Sequence, residues 1–254
     1  MKLELVARLK RYLRMLNVLR HGLWNVAFWR AHFTYSLVGE DVMMRPFFEG
    51  KFDDPAYSGF WVDVGAFDPI AKSNTFVYSL QGWRGINIEP NPEGIKKFNR
   101  FRPRDINVNA GVGEESGELE YFMFPGAMAS LNSFSKSHAD YWISRGMKLK
   151  GVRKIPVMPL AEILGKHLPK GQHIDFFTID AEGFDIEVLR SNDWDRFSPD
   201  FVLIEIHAGG HNESVLTSEV AQYLIEKGYE FVAQAYITTL FRKIGYVTHV
   251  QPHA

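Results

Sequence analysis

The chain has 254 residues, a formal net charge of −1 and no cysteine. The balanced charge argues against general nucleic-acid binding, which needs an excess of basic side chains. The lack of cysteine excludes disulfides, thiol catalysis and cysteine-ligated zinc. The sequence shows no signal-peptide pattern and no uncharged apolar run near the roughly 18 residues of a membrane span, so we expect a cytoplasmic protein.

Residues 1–34 are predicted to form a basic amphipathic helical extension. Seven Lys or Arg residues stand against the single acid Glu4 in this region, and leucines recur among them at helical spacing. Two interpretations stay open. Residues 1–30 either make a peripheral membrane contact at the inner face of the membrane, or pack on the domain or on a second subunit of a homo-oligomer. The rest of the chain, residues 35–254, is predicted to be one domain.

A buried strand and a glycine turn begin the central part of this domain. Residues 60–64 form an apolar run interrupted only by Asp63, which is typical of a parallel strand covered on both faces. Gly65 and Ala66 follow, and small residues there let a ligand approach the backbone closely.

A helix and a second buried strand continue the unit. Ser73 and Asn74 are predicted to cap the helix, which runs to about residue 80. The strand at residues 85–88 leads into Glu89, 24 residues after Gly65. An acid at that place in a strand–helix–strand unit is suited to bind both hydroxyls of a ribose. The pattern predicts a nucleotide-binding unit.

The glycine turn indicates which nucleotide binds. A dinucleotide site needs further glycines under the pyrophosphate, but Phe67 and Pro69 stand in this turn and no lysine of a phosphate loop follows. A ligand with ribose and adenine but no phosphate fits better, and S-adenosylmethionine is the common one. Asp63 is suited to position its ammonium group. A nicotinamide dinucleotide site and a purely structural unit remain the alternatives.

The middle of the chain contains a third strand and a long insertion. The basic residues between positions 96 and 104 are interpreted as a solvated helix face. Residues 106–111 are predicted to be a strand, in which Asn109 either meets the edge of the adenine or caps a turn. After a further strand at residues 117–124, residues 125–158 are predicted to form an irregular lid that contributes to the acceptor site.

Two more core strands are predicted at residues 175–179 and 201–207. A helix and two strands, residues 229–234 and 238–244, then suggest a C-terminal antiparallel hairpin at the sheet edge. Ligands of open α/β sheets bind beyond the carboxyl ends of the strands. The polar residues at or near these ends are Asp63, Glu89, Asn109, Asp180, Glu182, Glu205 and His207.

Methyl transfer to a hydroxyl requires alignment of the acceptor and removal of its proton. We predict His207 as the base because imidazole is neutral near pH 7, although a histidine that holds the following loop by hydrogen bonds fits equally well. Asp180, Glu182 and Glu205 are interpreted as orienting a polyol. Asp180 and Glu205 are also candidate ligands of a hard divalent cation, and the pattern leaves the metal open.

The motifs together resemble the FkbM family of S-adenosylmethionine-dependent methyltransferases. The matching segments are YSLVGED at 35–41, VDVGAFDPIAKSNT at 62–75, GWRGINIEPNP at 82–92, INVNAGVG at 106–113, TIDAEGFDIEVL at 178–189 and VLIEIH at 202–207. The resemblance implies a Rossmann-like class I methyltransferase fold, with a seven-stranded, mostly parallel sheet.

The resemblance also implies that Asp180 lies beside the methyl group. The predicted cofactor-binding residues are Asp63, Gly65, Ala66, Phe67, Ser73, Asn74, Glu89, Asn109 and Asp180. The family mostly methylates oxygen, often on sugars, so we predict an O-methyltransferase that acts on a saccharide hydroxyl. A small natural product or other polar acceptor, and a catalytically silent cofactor-binding subunit, remain the alternatives.

Overall fold

The fold is given by a computed structural model that describes residues 34–52, 54, 56–206 and 215–247. The predicted N-terminal extension up to residue 33 and the predicted base His207 lie outside the described residues, so both stay predictions. Within the described part of the chain, no helix is long and apolar enough to cross a membrane.

Two sheets contain the described strands. Their bounds are β1 (Phe60–Val64), β2 (Arg84–Ile88), β3 (Ile106–Val108), β4 (Gly111–Val112), β5 (Gly117–Met123), β6 (Gly151–Met158), β7 (Phe176–Ile179), β8 (Phe201–Glu205), β9 (Tyr229–Ala235) and β10 (Thr238–Lys243). The larger sheet has seven strands in the order β3-β2-β1-β7-β8-β10-β9. Its first five strands are parallel, while β10 runs antiparallel to β8 and β9. The predicted sheet and its C-terminal hairpin are confirmed.

Helices cover both faces of this sheet. Their bounds are α1 (Glu40–Phe52), α2 (Phe76–Leu80), α3 (Pro92–Phe101), α4 (Lys136–Ser144), α5 (Leu160–His167), α6 (Asp185–Arg190) and α7 (Glu219–Glu226). One core cluster contains Leu164, Leu189 and Leu224 from α5, α6 and α7. The other contains Phe48 of α1 and Tyr78 of α2. Buried strands with a helical layer on each side explain why the central strands are mostly apolar on both faces.

The second sheet corrects two predictions. The predicted strand at residues 106–111 ends at Val108, and the chain then enters the smaller sheet as β4. The predicted irregular lid at residues 125–158 includes a whole strand, β6, which pairs antiparallel with β5. Pro156 obscured this strand in the sequence because proline cannot donate a ladder hydrogen bond. It is tolerated since β4 pairs only with the two residues that follow it.

Candidate functional site

A cavity of about 730 Å³ opens at the carboxyl ends of the central parallel strands. The strand order reverses at β1, which lies between β2 and β7, and such a reversal is where ligands bind in open α/β sheets. The predicted site residues that line this cavity are Asp63, Gly65, Ala66, Phe67, Ser73, Asn74, Glu89, Asp180, Glu182 and Glu205. The structure therefore brings most of the predicted residues into one cavity.

Gly65 joins the two central strands at this edge. Its φ is +76°, and a Cβ atom added to it would lie 1.9 Å from the carbonyl oxygen of Asp180. The amides of Gly65 and Ala66 both donate to the carbonyl of Ile88, at 3.0 and 3.2 Å. The turn after β1 is thus held against both neighbouring strand ends, and no side chain fits at position 65.

Glu89 is the buried acid of the cavity wall beside β2. Its two carboxylate oxygens accept hydrogen bonds from the amides of Phe67, at 2.8 Å, and Asn91, at 2.7 Å. Burial raises the pKa of Glu89 to about 7 against these two stabilising bonds. A Cβ atom at Gly94 would approach the Glu89 Cγ to 2.8 Å, so this helix glycine makes room for the acid. Each oxygen retains capacity for another donor.

The Asp63 side chain is held by a hydrogen bond from Thr75, which does not itself line the cavity. Its carboxylate accepts a 3.0 Å hydrogen bond from the hydroxyl of Thr75, and the side chain is buried. Burial raises its pKa to about 6, and the nearby charge of Arg102 opposes that rise. Asp63 is therefore suited to receive a positive group only from the cavity side.

The helix cap predicted after this turn is corrected. Thr75 is the N-cap of α2, and its side chain makes no capping bond because it donates to Asp63 instead. Ser73 is buried next to the Thr75 hydroxyl, at 3.2 Å. The side-chain amide of Asn74 donates to the Thr178 hydroxyl of β7, at 3.0 Å. Asn74 therefore connects the turn to the sheet, Ser73 bonds to Thr75 within the turn, and neither caps the helix.

Arg102 is a supporting residue that sequence reasoning missed. It was predicted to lie on a solvated face, but it is only 3% exposed. Its guanidinium donates to Asp105 at 2.7 Å and to Thr75 at 2.8 Å, and lies 4.7 Å from the Trp61 ring centre. The helix ends at Phe101, so the next residue no longer follows the helical face from which its exposure was predicted. Arg102 thus balances the buried acid Asp63 from behind.

Asn109 does not line the cavity. Its side-chain amide donates to the carbonyls of Glu89, at 2.8 Å, and Pro90, at 3.1 Å. These bonds are those of the turn-capping alternative, and the adenine contact of Asn109 stays a prediction. Ala110 and Gly111, the next residues, line the cavity instead.

Three acids form an acidic cluster in the cavity: Asp180, Glu182 and Glu205. One carboxylate oxygen from each lies within 4.8 Å of the others. Burial, followed by the charges of Glu205 and Glu182, raises the pKa of Asp180 well above its usual range. The buried Oδ1 of Asp180 has no hydrogen-bond partner among the described residues. Such a cluster suits ligands that bring positive charge or donated protons, such as a divalent cation or a polyol.

The predicted lid does reach the cavity. A short 3-10 helix (Gly126–Leu131) and α4 supply part of its wall, including Leu131, His138, Tyr141 and Trp142. The Nε2 atom of His138 lies 3.3 Å from a carboxylate oxygen of Glu182, and the Trp142 indole donates to the same nitrogen at 3.0 Å. The sequence did not reveal His138, because a histidine on a short helix gives no sign that it contacts an acid near the end of a distant strand.

Backbone strain is concentrated around this cavity. Four non-glycine residues of the described chain have positive φ: Phe67 (54°), Lys72 (60°), Glu182 (50°) and Tyr236 (59°). All four line the cavity. Each such residue costs on the order of 1–3 kcal/mol, and strain of this kind clusters at functional sites. The cavity is therefore the best candidate for the active site.

A comparison with models of protein families agrees with the sequence motifs. A family model described as the Methyltransferase FkbM domain matches residues 63–231. A comparison with curated proteins gives no match.

Three similar solved structures are monomeric WbdD, a TehB-like SAM-dependent methyltransferase from Corynebacterium glutamicum ATCC 13032 Kitasato, and the delta-N METTL16 MTase domain. WbdD is 8% identical with a TM-score of 0.43, and the match covers 80% of this chain and 40% of that one, so this chain spans less than half of WbdD. The TehB-like protein is 13% identical with a TM-score of 0.36, over 93% of this chain and 98% of that one. The METTL16 domain is 12% identical with a TM-score of 0.40, over 81% of both chains.

Proposed function

Because the chain belongs to the FkbM methyltransferase family, we propose that it transfers the methyl group of S-adenosylmethionine to a hydroxyl of a saccharide. The observation that carries this proposal is that one cavity holds both Glu89 and the acidic cluster of Asp180, Glu182 and Glu205. The first suits a ribose diol, and the second suits a polyol acceptor.

The residues around the turn after β1 fit a nucleoside without phosphate. Glu89 has acceptor capacity for two ribose hydroxyls while the amides of Phe67 and Asn91 hold its carboxylate in place. Gly65 packs against the Asp180 carbonyl and so keeps the turn after β1 close to the end of β7, beside the cavity. S-adenosylmethionine, when bound, supplies a methyl group on a positively charged sulfur. The negative potential of the nearby acids supports a ligand with that charge.

The acceptor side must position a hydroxyl and take its proton. His207 is proposed as the base from its place in the sequence, two residues after Glu205. Asp180, Glu182 and Glu205 are proposed to accept hydrogen bonds from acceptor hydroxyls. The same cluster is proposed as a divalent-cation site, with Asp180 and Glu205 as ligands, because its oxygens are close enough to share one ion.

The test is transfer of a labelled methyl group from S-adenosylmethionine to a panel of nucleotide sugars and methyl glycosides. We expect label on a sugar oxygen, and a loss of turnover of roughly 10²-fold in His207→Ala with cofactor binding retained. His167→Gln is the matched control, because His167 lies at the end of α5 and does not line the cavity. Full activity in excess EDTA would show that no ion is required.

Two outcomes would contradict the proposal. Label on a nitrogen or carbon acceptor would replace the saccharide hydroxyl. Tight cofactor binding without transfer to any acceptor would indicate the silent subunit.

A further inference from the structure

Tyr236 is a large cavity residue without a place in the proposed reaction. It forms the tip of the β9–β10 hairpin together with Ile237, and it is 75% exposed while it lines the cavity. A side chain that is both so exposed and part of the wall borders the opening. An aromatic ring in that position can meet a ligand that enters the cavity.

The hairpin itself does not need a tyrosine at this position. Tyr236 has a φ of +59°, whereas Ile237 is not among the residues with positive φ. A two-residue hairpin turn with positive φ at its first position has the pattern of type II′, which favours glycine there. The chain thus keeps a bulky residue where glycine would be less strained. This conflict between local preference and sequence points to a use outside the fold.

The hairpin tip lies next to the acidic cluster. Thr238, two residues after Tyr236, pairs directly with Glu205, and the amide of Ile206 donates to the carbonyl of Ile237 at 2.8 Å. Two residues of chain span at most about 7 Å, and less in a turn. The Tyr236 backbone therefore lies within about 7 Å of Thr238, the residue that pairs with Glu205.

The chemistry of a sugar matches an aromatic ring, Tyr236, that lies next to an acidic cluster. A pyranose has an apolar C–H face that packs on an aromatic ring, and equatorial hydroxyls that donate to carboxylates. Tyr141 of α4, which is 49% exposed, lines the same cavity and offers a second aromatic surface. Ring stacking fixes the orientation of the ring, and the acidic cluster then selects which hydroxyl faces the reacting end.

We infer that Tyr236 is a specificity-determining acceptor contact, on which a pyranose ring stacks while its hydroxyls reach Asp180, Glu182 and Glu205. This inference rests on the proposed function, because it names the residue that binds the saccharide class proposed there.

The test compares Tyr236→Gly with Tyr236→Phe and with Phe101→Gly, an exposed aromatic that does not line the cavity. Glycine removes the ring and relieves the strain, so we expect the melting temperature of Tyr236→Gly to equal or exceed that of the wild type. The KM for the best glycoside of the labelled panel should rise by roughly tenfold or more, with a smaller change in kcat. Phenylalanine should keep the KM within about threefold, and Phe101→Gly should leave it unchanged.

Binding is measured independently of turnover by saturation-transfer NMR with methyl pyranosides. We expect contacts from C–H protons of the sugar ring in the wild type and their loss in Tyr236→Gly. If the wild type binds pyranosides in this way but transfers no methyl group, the proposed function fails while the Tyr236 contact stands. An unchanged KM and unchanged NMR contacts in Tyr236→Gly would overturn the inference. Weaker binding of S-adenosylhomocysteine by this variant would also overturn it, because Tyr236 would then belong to the cofactor half.

Discussion

Replacing Glu89 by alanine tests the cofactor half of the cavity. Two ribose hydroxyls would lose a charged acceptor, and hydrogen bonds of that kind contribute about 1.5–3 kcal/mol each. We therefore expect S-adenosylhomocysteine to bind roughly 10²- to 10⁴-fold more weakly at pH 8, where the carboxyl group is ionised. Isothermal titration calorimetry measures this directly. Glu93→Ala is the matched control, because Glu93 lies on the next helix and forms an exposed ion pair with Lys96.

The stability of the Glu89→Ala variant decides whether that result is interpretable. Alanine leaves the amides of Phe67 and Asn91 without their acceptor, at about 1–3 kcal/mol each. Removal of the buried charge has the opposite effect on the free energy of unfolding. A pKa raised from 4.5 to about 7 means that the carboxyl group stabilises the fold below pH 4.5, and that this stability is lost as the pH rises through 7. At pH 8 that loss is about 3 kcal/mol, and its removal offsets half or more of the roughly 2–6 kcal/mol that the two amides cost. The variant should therefore stay folded.

The same raised pKa predicts a pH dependence of binding. Hydrogen bonds donated by the ribose hydroxyls favour the ionised carboxylate. The affinity for S-adenosylhomocysteine should therefore rise with pH up to about 7 and then level off. Glu89→Gln should remove most of this dependence. Unchanged affinity in Glu89→Ala at pH 8, with a folded variant, would refute the assignment of Glu89 to the cofactor.

Three further variants test the supporting structure. Gly65→Ala should lower the free energy of unfolding by about 3 kcal/mol or more, because the new Cβ meets the Asp180 carbonyl oxygen; urea denaturation measures this. Asp180→Asn should be more stable than the wild type at pH 8, because the raised pKa of Asp180 makes its ionised form costly in the folded protein. At pH 4 the variant should have no such advantage. It should also transfer methyl groups more slowly than the wild type. Arg102→Met should cost about 3–5 kcal/mol, because Asp105 would keep a buried charge without a cation; an unfolding midpoint like that of the wild type would contradict this role.

The parts of the fold that could be predicted depend on local signals. The strand before Gly65 is mostly apolar and ends at a turn residue, and the strand before Glu89 carries two buried isoleucines and ends at an acid. Further strands of this kind follow along the chain in the expected order. The carboxyl ends of parallel strands share one sheet edge, so the convergence of Asp180 and Glu205 followed from the strands themselves.

The parts that could not be predicted depend on contacts between segments far apart in sequence. Arg102 is buried because, after its helix has ended, it meets Thr75, which lies 27 residues earlier in the chain. Asn109 caps a turn because the carbonyls of the preceding strand end lie within reach of its amide. His138 meets Glu182 only because a lid helix folds over the sheet edge. None of these contacts produces a periodic pattern in the sequence from which it could be predicted.

A crystal structure with S-adenosylhomocysteine tests the central claim most directly. We expect both ribose hydroxyls within hydrogen-bond distance of the Glu89 carboxylate, the ligand close to the backbone at Gly65, and the ligand sulfur on the side of Asp180. A ligand that binds outside this cavity, or a ribose that makes no contact with Glu89, would contradict it.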